Sequence, residues 1–219
     1  MSRLIQVIVG PLATAAANNV ALSQTPLAAG NLTLNVSLVV GGVDFLDQPR
    51  HVIVTSAGND SAITFTAYGT DISGQALQAS VAGAAIGVAD FGVSFATVTR
   101  IAVSAATAAA VTVGTNTIAD SRLVSLDTFG FGPALVHAVI SGTVNYTVQG
   151  SQDNPNGIGG FGVPLGLQNM TWIPDPTLVN SNATGQTTYT ACPAFVKVTL
   201  NSGTGSVKAT ISQHASPSI

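Results

Sequence analysis

Charge is scarce in this sequence. Only 7% of its 219 residues are Asp, Glu, Lys or Arg, against about 25% in an ordinary soluble domain. All nine acidic residues are Asp, and Lys197 and Lys208 are the only lysines. The six basic residues are scattered and the net charge is −3, so no cluster of Lys and Arg is available to contact phosphates. The composition therefore argues against a nucleic-acid partner.

Cysteine and long apolar runs are also lacking. The single cysteine, Cys192, excludes an internal disulfide and a cysteine-based zinc site. Its place beside Pro193 predicts a small, buried apolar residue. Mean hydropathy is +0.47, yet no run approaches the ~18 apolar residues that a membrane-spanning helix needs, and we predict no membrane partner. We expect the apolar excess to be buried in sheets and partly in contacts between subunits, because so little charge would solvate a monomer poorly.

The N-terminus, MSRLIQVIVGPLATAAANN, imitates a secretory signal. It has a basic start, an apolar stretch and an Ala-x-Ala ending, but Gln6 and Pro11 interrupt the apolar stretch. We therefore interpret residues 4–9 as a strand that Pro11 ends. The Ala-rich residues that follow are expected to form a connector or a short helical turn.

Thr, Ser, Asn and Gly stand where charge would normally be found, and Thr and Val favour strands. Residues 31–40, NLTLNVSLVV, alternate strictly between apolar and polar and predict a strand with one buried face. Gly41 and Gly42 then predict a turn, HVIVTS (51–56) a second strand, and AITFTAYGT (62–70) a third. The chain is therefore predicted to be all-β, with Gly- and Asn-rich turns and little helix.

Two distant segments look alike. VTRIAVSAATAAAVTVG (98–114) and FVKVTLNSGTGSVKATISQ (195–213) both read as β-hairpins, and Pro49 and Pro133 open corresponding segments before them. The aligned residues are Arg100 with Lys197, Ile101 with Val198, Val103 with Leu200, and Thr107 with Thr204. This repeat predicts two related β-sandwich-like units, closely packed. Residues 1–118 would form an N-terminal strand or arm plus the first unit, and residues 119–219 the second, with a loop insertion at about 154–185.

The candidate chemical motifs are weak. GIGGFG (157–162) resembles a dinucleotide fingerprint, but VPLG follows it instead of a helix, so we interpret it as a loop. His51, His137 and His214 are interpreted as satisfied or surface histidines. Asp44 with Asp47, and Asp153, are weak calcium-ligand candidates that turn formation explains more simply. No serine lies in a Gly-x-Ser-x-Gly elbow. We predict no catalytic residue, metal or cofactor.

Trp172 is the exception among these residues. The only tryptophan lies in a proline-flanked loop, TWIPDP, within the predicted insertion. One interpretation is a loop anchor that packs on the sandwich. The other is an aromatic contact for a partner subunit or a glycan, and we take Trp172 as the candidate partner-contact residue.

Four segments together resemble a group of tailed-bacteriophage virion structural proteins. They are RHVIVTSAGNDSAITFTAYGTD, VTVGT, TWIPDP and VTLNSGTGSVKATISQ, and the resemblance covers most of residues 18–213. It implies a non-enzymatic protein that assembles in many copies on a phage particle, as a capsid decoration or cement protein. The implied partners are further copies of itself and other virion proteins such as the major capsid protein, and the implied location is the virion, after synthesis in the host cytoplasm.

Two other functions stay open at this point. A tail or head fibre component could bind host-surface glycan through its loops, although aromatic residues make up only 5% of the chain. A polysaccharide depolymerase would need paired carboxylates at a cleft, and the lack of Glu disfavours it.

Overall fold

The computed structural model of the protein describes residues 2–127, 132–153, 158–159, 163–164 and 166–214. In this part of the chain the regular elements are eighteen strands and one three-residue 3₁₀ turn, Leu167–Asn169. The predicted all-β fold with little helix is confirmed. It follows from the Thr- and Val-rich alternation, which places one face of most of the longer strands in a core.

The strands are numbered along the chain. In order they are β1 (Ser2–Val9), β2 (Ala16–Gln24), β3 (Gly30–Asn31), β4 (Val39–Val40), β5 (Val43–Ser56), β6 (Thr64–Thr70), β7 (Ala76–Ala82), β8 (Gly87–Val103), β9 (Val111–Asp120), β10 (Val124–Ser125), β11 (Ala134–Ser141), β12 (Val144–Ser151), β13 (Ile158–Gly159), β14 (Val163–Pro164), β15 (Ile173–Pro174), β16 (Gly185–Tyr189), β17 (Phe195–Gly203) and β18 (Ser206–His214).

The chain divides into two compact units, one nested in the sequence of the other. The inserted unit is Ala13–Ile118, and the split unit combines Met1–Leu12 with Ala119–Ile219. Strand β1 pairs with β18 along its whole length, from Ser2↔His214 to Val9↔Val207. This ladder places the N-terminal strand with the second half of the chain. The prediction that it belongs with the first half is therefore wrong.

The split unit has two layers of strands. One layer has the order β1-β18-β11-β16, and the other contains β15-β12-β17 with β10 also paired to β17. Side chains from both layers meet in one hydrophobic core, for example Val7 and Val136 from the first layer with Tyr146 and Val198 from the second. The arrangement is sandwich-like, as predicted.

The strands of the inserted unit are joined through β8 into one continuous series of ladders. These ladders run β2-β9-β5-β8 and β7-β6-β8, and β3 also pairs with β8. Strand β8 takes part in both because it is seventeen residues long. Its own core joins Val52 and Val113 to Phe65 and Ile101. Strand β4 turns into β5 through Gly41 and Gly42, which have φ of 61° and 83°, so the predicted turn is confirmed.

Matched registers support the predicted duplication. Strand β6 pairs with β8 as β12 pairs with β17, so that Phe65↔Val103 corresponds to Tyr146↔Leu200. The equivalent strands also follow one another in the same order along the chain. Three further pairs of the inserted unit have counterparts in the split unit. Ala21↔Val113 corresponds to Val7↔Ala209, Asn31↔Ala102 to Asp120↔Thr199, and Gly30↔Val103 to Ala119↔Leu200.

Three predicted elements are corrected. Strands β17 and β18 belong to different sheets and strands β8 and β9 share no ladder, so neither predicted segment is a hairpin. The last two residues of β9, Ala119 and Asp120, belong to the split unit and pair with β17. The Ala-rich connector is shorter than expected, because strand β2 begins at Ala16.

The predicted strand over residues 31–40 is also wrong. Leu32 is buried and Leu34 is half-buried, so the alternation correctly marks an inward face. However, side-chain amides take the place of a ladder partner. The Thr33 N–H donates to Gln24 Oε1 at 2.8 Å, and the Leu22 N–H donates to Asn35 Oδ1 at 2.8 Å.

Candidate functional site

The outer face of β12 and β17 carries the residues around Trp172. Val196, Val198 and Leu200 of β17 are buried in the core of the split unit, so the alternating residues Lys197 and Thr199 lie on the opposite face. Asp120, at the end of β9, pairs with Thr199 and brings a carboxylate to this face.

Lys197 joins the aromatic ring to the carboxylate. Its Nζ lies 4.7 Å from the centre of the Trp172 ring and 3.0 Å from Asp120 Oδ2. Thr199 Oγ1 donates to the other carboxylate oxygen of Asp120 at 2.5 Å. The indole N–H of Trp172 donates to the carbonyl of Leu167 at 3.4 Å. Because a cation covers the ring and the side chain is half-buried, these contacts favour the interpretation of Trp172 as an anchor.

An amide network continues along the same face. Asn201 Nδ2 donates to Asn145 Oδ1 at 2.8 Å, to Thr147 Oγ1 at 2.9 Å and to Asn180 Oδ1 at 3.2 Å. Asn180 has a φ of 50°, the only positive value outside glycine among the described residues. Asn tolerates this conformation, and its contacts hold the loop onto the sheet. These contacts join β12, β17 and the loop at Asn180.

The inserted unit has a cation–aromatic pair at the matching place. Arg100, which aligns with Lys197, lies with its Cζ 3.7 Å from the centre of the Tyr68 ring. The ladder shifts register between Tyr68 and Gly69, so Thr99 is an extra residue on β8 and both Thr99 and Arg100 are exposed. A Cβ on Gly69 would lie 1.8 Å from the Thr97 carbonyl oxygen, so this bulge requires glycine.

The aspartates are used within the fold. Asp60, Asp71, Asp153 and Asp175 accept backbone N–H groups of turns or loops, for example that of Ala108 at 2.8 Å from Asp60 Oδ1. Asp47, Asp90 and Asp120 pair with Arg50, His51 and Lys197. Asp127 is engaged as well, and Asp44 is fully buried.

The exposed cations Arg100 and Lys208, in contrast, have no carboxylate within ion-pair distance among the described residues.

Asp44 is the least expected of these residues. It lies within strand β5, and neither of its carboxylate oxygens has a hydrogen-bond partner in the described structure. Burial raises the pKa of Asp44 to about 6. Asp47 also lies within β5 and accepts the Ala13 N–H at 2.6 Å. The interpretation of Asp44 and Asp47 as turn residues is therefore wrong.

His51 and Asp90 form a dyad that sequence reasoning missed. His51 Nδ1 lies 3.0 Å from Asp90 Oδ2, and Asn116 Nδ2 donates to the same oxygen at 2.8 Å. Burial opposes ionisation of Asp90, but hydrogen bonds from His51, Gly92 and Asn116 outweigh it and lower the pKa of the carboxyl group. Ser94 pairs with His51 across the ladder, yet its Oγ is buried without a partner. Among the described residues, Ser94 is therefore not hydrogen-bonded to His51, as a serine that the dyad activates would be.

Arg50 is a second residue without a sequence signal. Only 1% of it is exposed. Its guanidinium donates to the Ala13 carbonyl at 3.0 Å, to Asp47 Oδ1 at 2.9 Å and to the Asn116 carbonyl. Ala13 and Asn116 lie at the two chain ends of the inserted unit. Arg50 therefore fastens both ends of this unit to strand β5.

The remaining residues that the sequence singled out are Cys192, His137, His214 and the GIGGFG segment. Cys192 is half-buried against the core of the split unit, and its thiol lies 3.2 Å from the Gly132 carbonyl oxygen. His137 is exposed on β11. His214 ends β18, and its side chain is outside the described residues. Most of GIGGFG is outside them too, apart from the short β13–β14 ladder.

Among the described side chains, no group of three or more His, Cys, Asp or Glu residues is placed to hold a metal ion. The part of the chain that the structure describes also contains no helix long and apolar enough to cross a membrane. No protein-family model matches the chain, and no curated protein matches it either.

Proposed function

We propose that this chain is a non-enzymatic structural protein of a tailed-phage virion that assembles in many copies as a capsid decoration or cement protein. The observation that carries the proposal is the composition of the protein surface, which has little free charge and several exposed apolar side chains. The aspartates are used inside the fold, and large apolar side chains are left outside, including Leu27 at 88%, Ile86 at 79% and Val40 at 69% exposure. Neutral surface with scattered apolar residues suits burial against other subunits.

The duplicated fold supports the same proposal. Each unit has its own core, and strand pairs of one unit have counterparts in the other. Such a chain offers two similar surfaces, which suits a protein that bridges neighbouring subunits of a shell. The resemblance to phage virion proteins gives the proposal its particular setting.

The glycan-binding alternative has less support. Its best candidate was Trp172, whose ring contacts Lys197 and whose N–H is bonded to Leu167. A ring that is to stack on a sugar needs an open face. We therefore do not propose a fibre or receptor-binding role.

Particle binding tests the proposal directly. Virions would be produced from a genome that lacks this reading frame, mixed with purified protein, and sedimented. We expect saturable binding of many copies per particle and a greater resistance of the particles to heat. Protein that stays monomeric and in the supernatant, while it binds host-surface glycan, would replace this proposal with the fibre alternative.

A further inference from the structure

We propose that the inserted unit docks a carboxylate of an acidic protein partner on Arg100. The site is the Tyr68–Arg100 face, defined as Tyr68, Thr99 and Arg100 on the outer side of β6 and β8. The choice of a protein rather than a glycan as partner rests on the proposed function. The choice of a carboxylate rests on the comparison of the two units.

In the split unit, the cation at the equivalent position is paired with a carboxylate of the same unit. There, the cation Lys197 has a carboxylate at 3.0 Å, that of Asp120. Asp120 pairs with Thr199, and the equivalent pair in the inserted unit is Asn31↔Ala102. The inserted unit thus keeps the cation and replaces the neutralising acid by a neutral amide. A carboxylate that comes from outside would complete the same ion pair.

Local geometry prepares Arg100 for such a contact. The Tyr68 ring holds the guanidinium at 3.7 Å, which reduces the conformational freedom that binding would have to remove. The bulge at Thr99 leaves two consecutive side chains exposed where a regular strand would show one. An Arg positioned in this way can form the two parallel hydrogen bonds that a carboxylate accepts.

Charge complementarity favours a different protein over a second copy of this chain. Among the described residues, each Asp is either buried or engaged in a contact of its own. A second copy would therefore have to break an internal contact to supply a carboxylate. A partner surface with free Asp or Glu side chains would not incur that cost.

The first experiment measures the site alone. Binding of the full chain to immobilised poly-L-glutamate would be compared at 20 mM and 150 mM NaCl for the wild type, Arg100→Gln, Asn31→Asp and Lys208→Gln. Arg100→Gln removes the cation, and Asn31→Asp places an acid where the split unit has Asp120. We expect both to weaken binding about tenfold at low salt. Lys208→Gln removes an exposed cation elsewhere and should leave binding within about twofold of the wild type.

Three outcomes of this experiment would overturn the inference. Equal losses for Arg100→Gln and Lys208→Gln would show unspecific charge attraction. Unchanged binding by Asn31→Asp would contradict the position assigned to the carboxylate. Binding to polygalacturonate that depends on Arg100, without binding to poly-L-glutamate, would make the face an acidic-glycan site. Circular dichroism of each variant checks that the fold is kept.

The second experiment separates this inference from the proposed function. The same variants would be added to virions that lack the protein. Strong binding by the wild type and weak binding by Arg100→Gln would support both proposals. Equal binding by the two would overturn the docking site and leave the virion role intact. If the wild type itself fails to bind, the virion role is wrong, while the poly-L-glutamate result still decides whether Arg100 receives a carboxylate.

Discussion

Two aspartates of the inserted unit have opposite electrostatic roles. Asp44 is buried without a hydrogen-bond partner among the described residues, and its pKa is raised to about 6. Asp90 is held by His51, Asn116 and a backbone N–H, and its pKa is lowered. A group with a raised pKa binds its proton more tightly in the folded state, so it stabilises the fold at low pH and loses this effect as the pH rises through about 6. A group with a lowered pKa stabilises the fold at pH values above the pKa that the group has in the unfolded chain. This stabilisation is lost as the pH falls through the lower pKa of the folded state.

Asp44→Asn should therefore stabilise the protein at neutral pH. The rise of the pKa from 3.8 to about 6 corresponds to roughly 3 kcal/mol lost on ionisation, and the neutral amide avoids this loss. Urea unfolding at pH 4.5 and at pH 7.5 measures the effect. We expect the variant to be favoured by about 1 kcal/mol at pH 4.5, where Asp44 ionises in the unfolded but not in the folded chain, and by about 3 kcal/mol at pH 7.5.

Asp90→Asn is the matched control, because it removes a carboxylate of the same unit with the opposite shift. It should destabilise the protein at pH 7.5, and its deficit should shrink on acidification. If Asp44→Asn also lowers stability at pH 7.5, the ionised Asp44 carboxylate is stabilised in the folded protein and the prediction is wrong.

At the scale of strands, Arg50 connects β5 to both chain ends of the inserted unit. Replacement by Met would fill a similar volume but leave Asp47 Oδ1 and the carbonyls of Ala13 and Asn116 without the guanidinium donor. Loss of one partner of a buried charged network costs about 3 kcal/mol. For a unit of this size, Arg50→Met should lower the melting temperature by about 10 °C or more in differential scanning calorimetry.

Arg122→Met provides the control for this prediction. Arg122 is exposed, and its Nη2 donates to the Gln6 carbonyl at 3.0 Å. Its replacement should move the melting temperature by no more than about 2 °C. Equal shifts for the two variants would mean that the buried network contributes little.

The sequence patterns predicted which face of a strand is buried better than they predicted which strands pair with each other. For residues 31–40, alternation correctly marked the inward face that Leu32 and Leu34 occupy, because burial follows the period of the chain itself. It could not distinguish a hairpin from two strands in different sheets, since both alternate in the same way, and β17 and β18 were paired wrongly for this reason. The alignment of Arg100 with Lys197 was informative, whereas the contacts with Tyr68, Trp172 and Asp120 depend on the fold that brings distant strands together.

At the scale of the whole molecule, the nested order of the units determines which fragments can fold. The segment 13–118 contains every strand of its own core, and Arg50 fastens both of its ends. Residues 119–219 lack β1, which pairs with β18 along eight residues and supplies Val7 and Val9 to the core. A cut at residue 118 therefore removes an edge strand and two buried valines from the split unit.

We therefore expect residues 13–118 expressed alone to fold cooperatively and residues 119–219 alone to aggregate or remain unfolded. Joining residues 1–12 to residues 119–219 through a short Gly/Ser linker restores β1 and should rescue the second fragment. A matched joined chain with Val7 and Val9 replaced by Asp keeps the length of the strand but cannot fill the core, because unpaired buried carboxylates are costly. Urea unfolding followed by circular dichroism distinguishes these cases. Cooperative folding of residues 119–219 without β1 would show that the N-terminal strand is dispensable and that the chain is two consecutive units rather than one nested in the other.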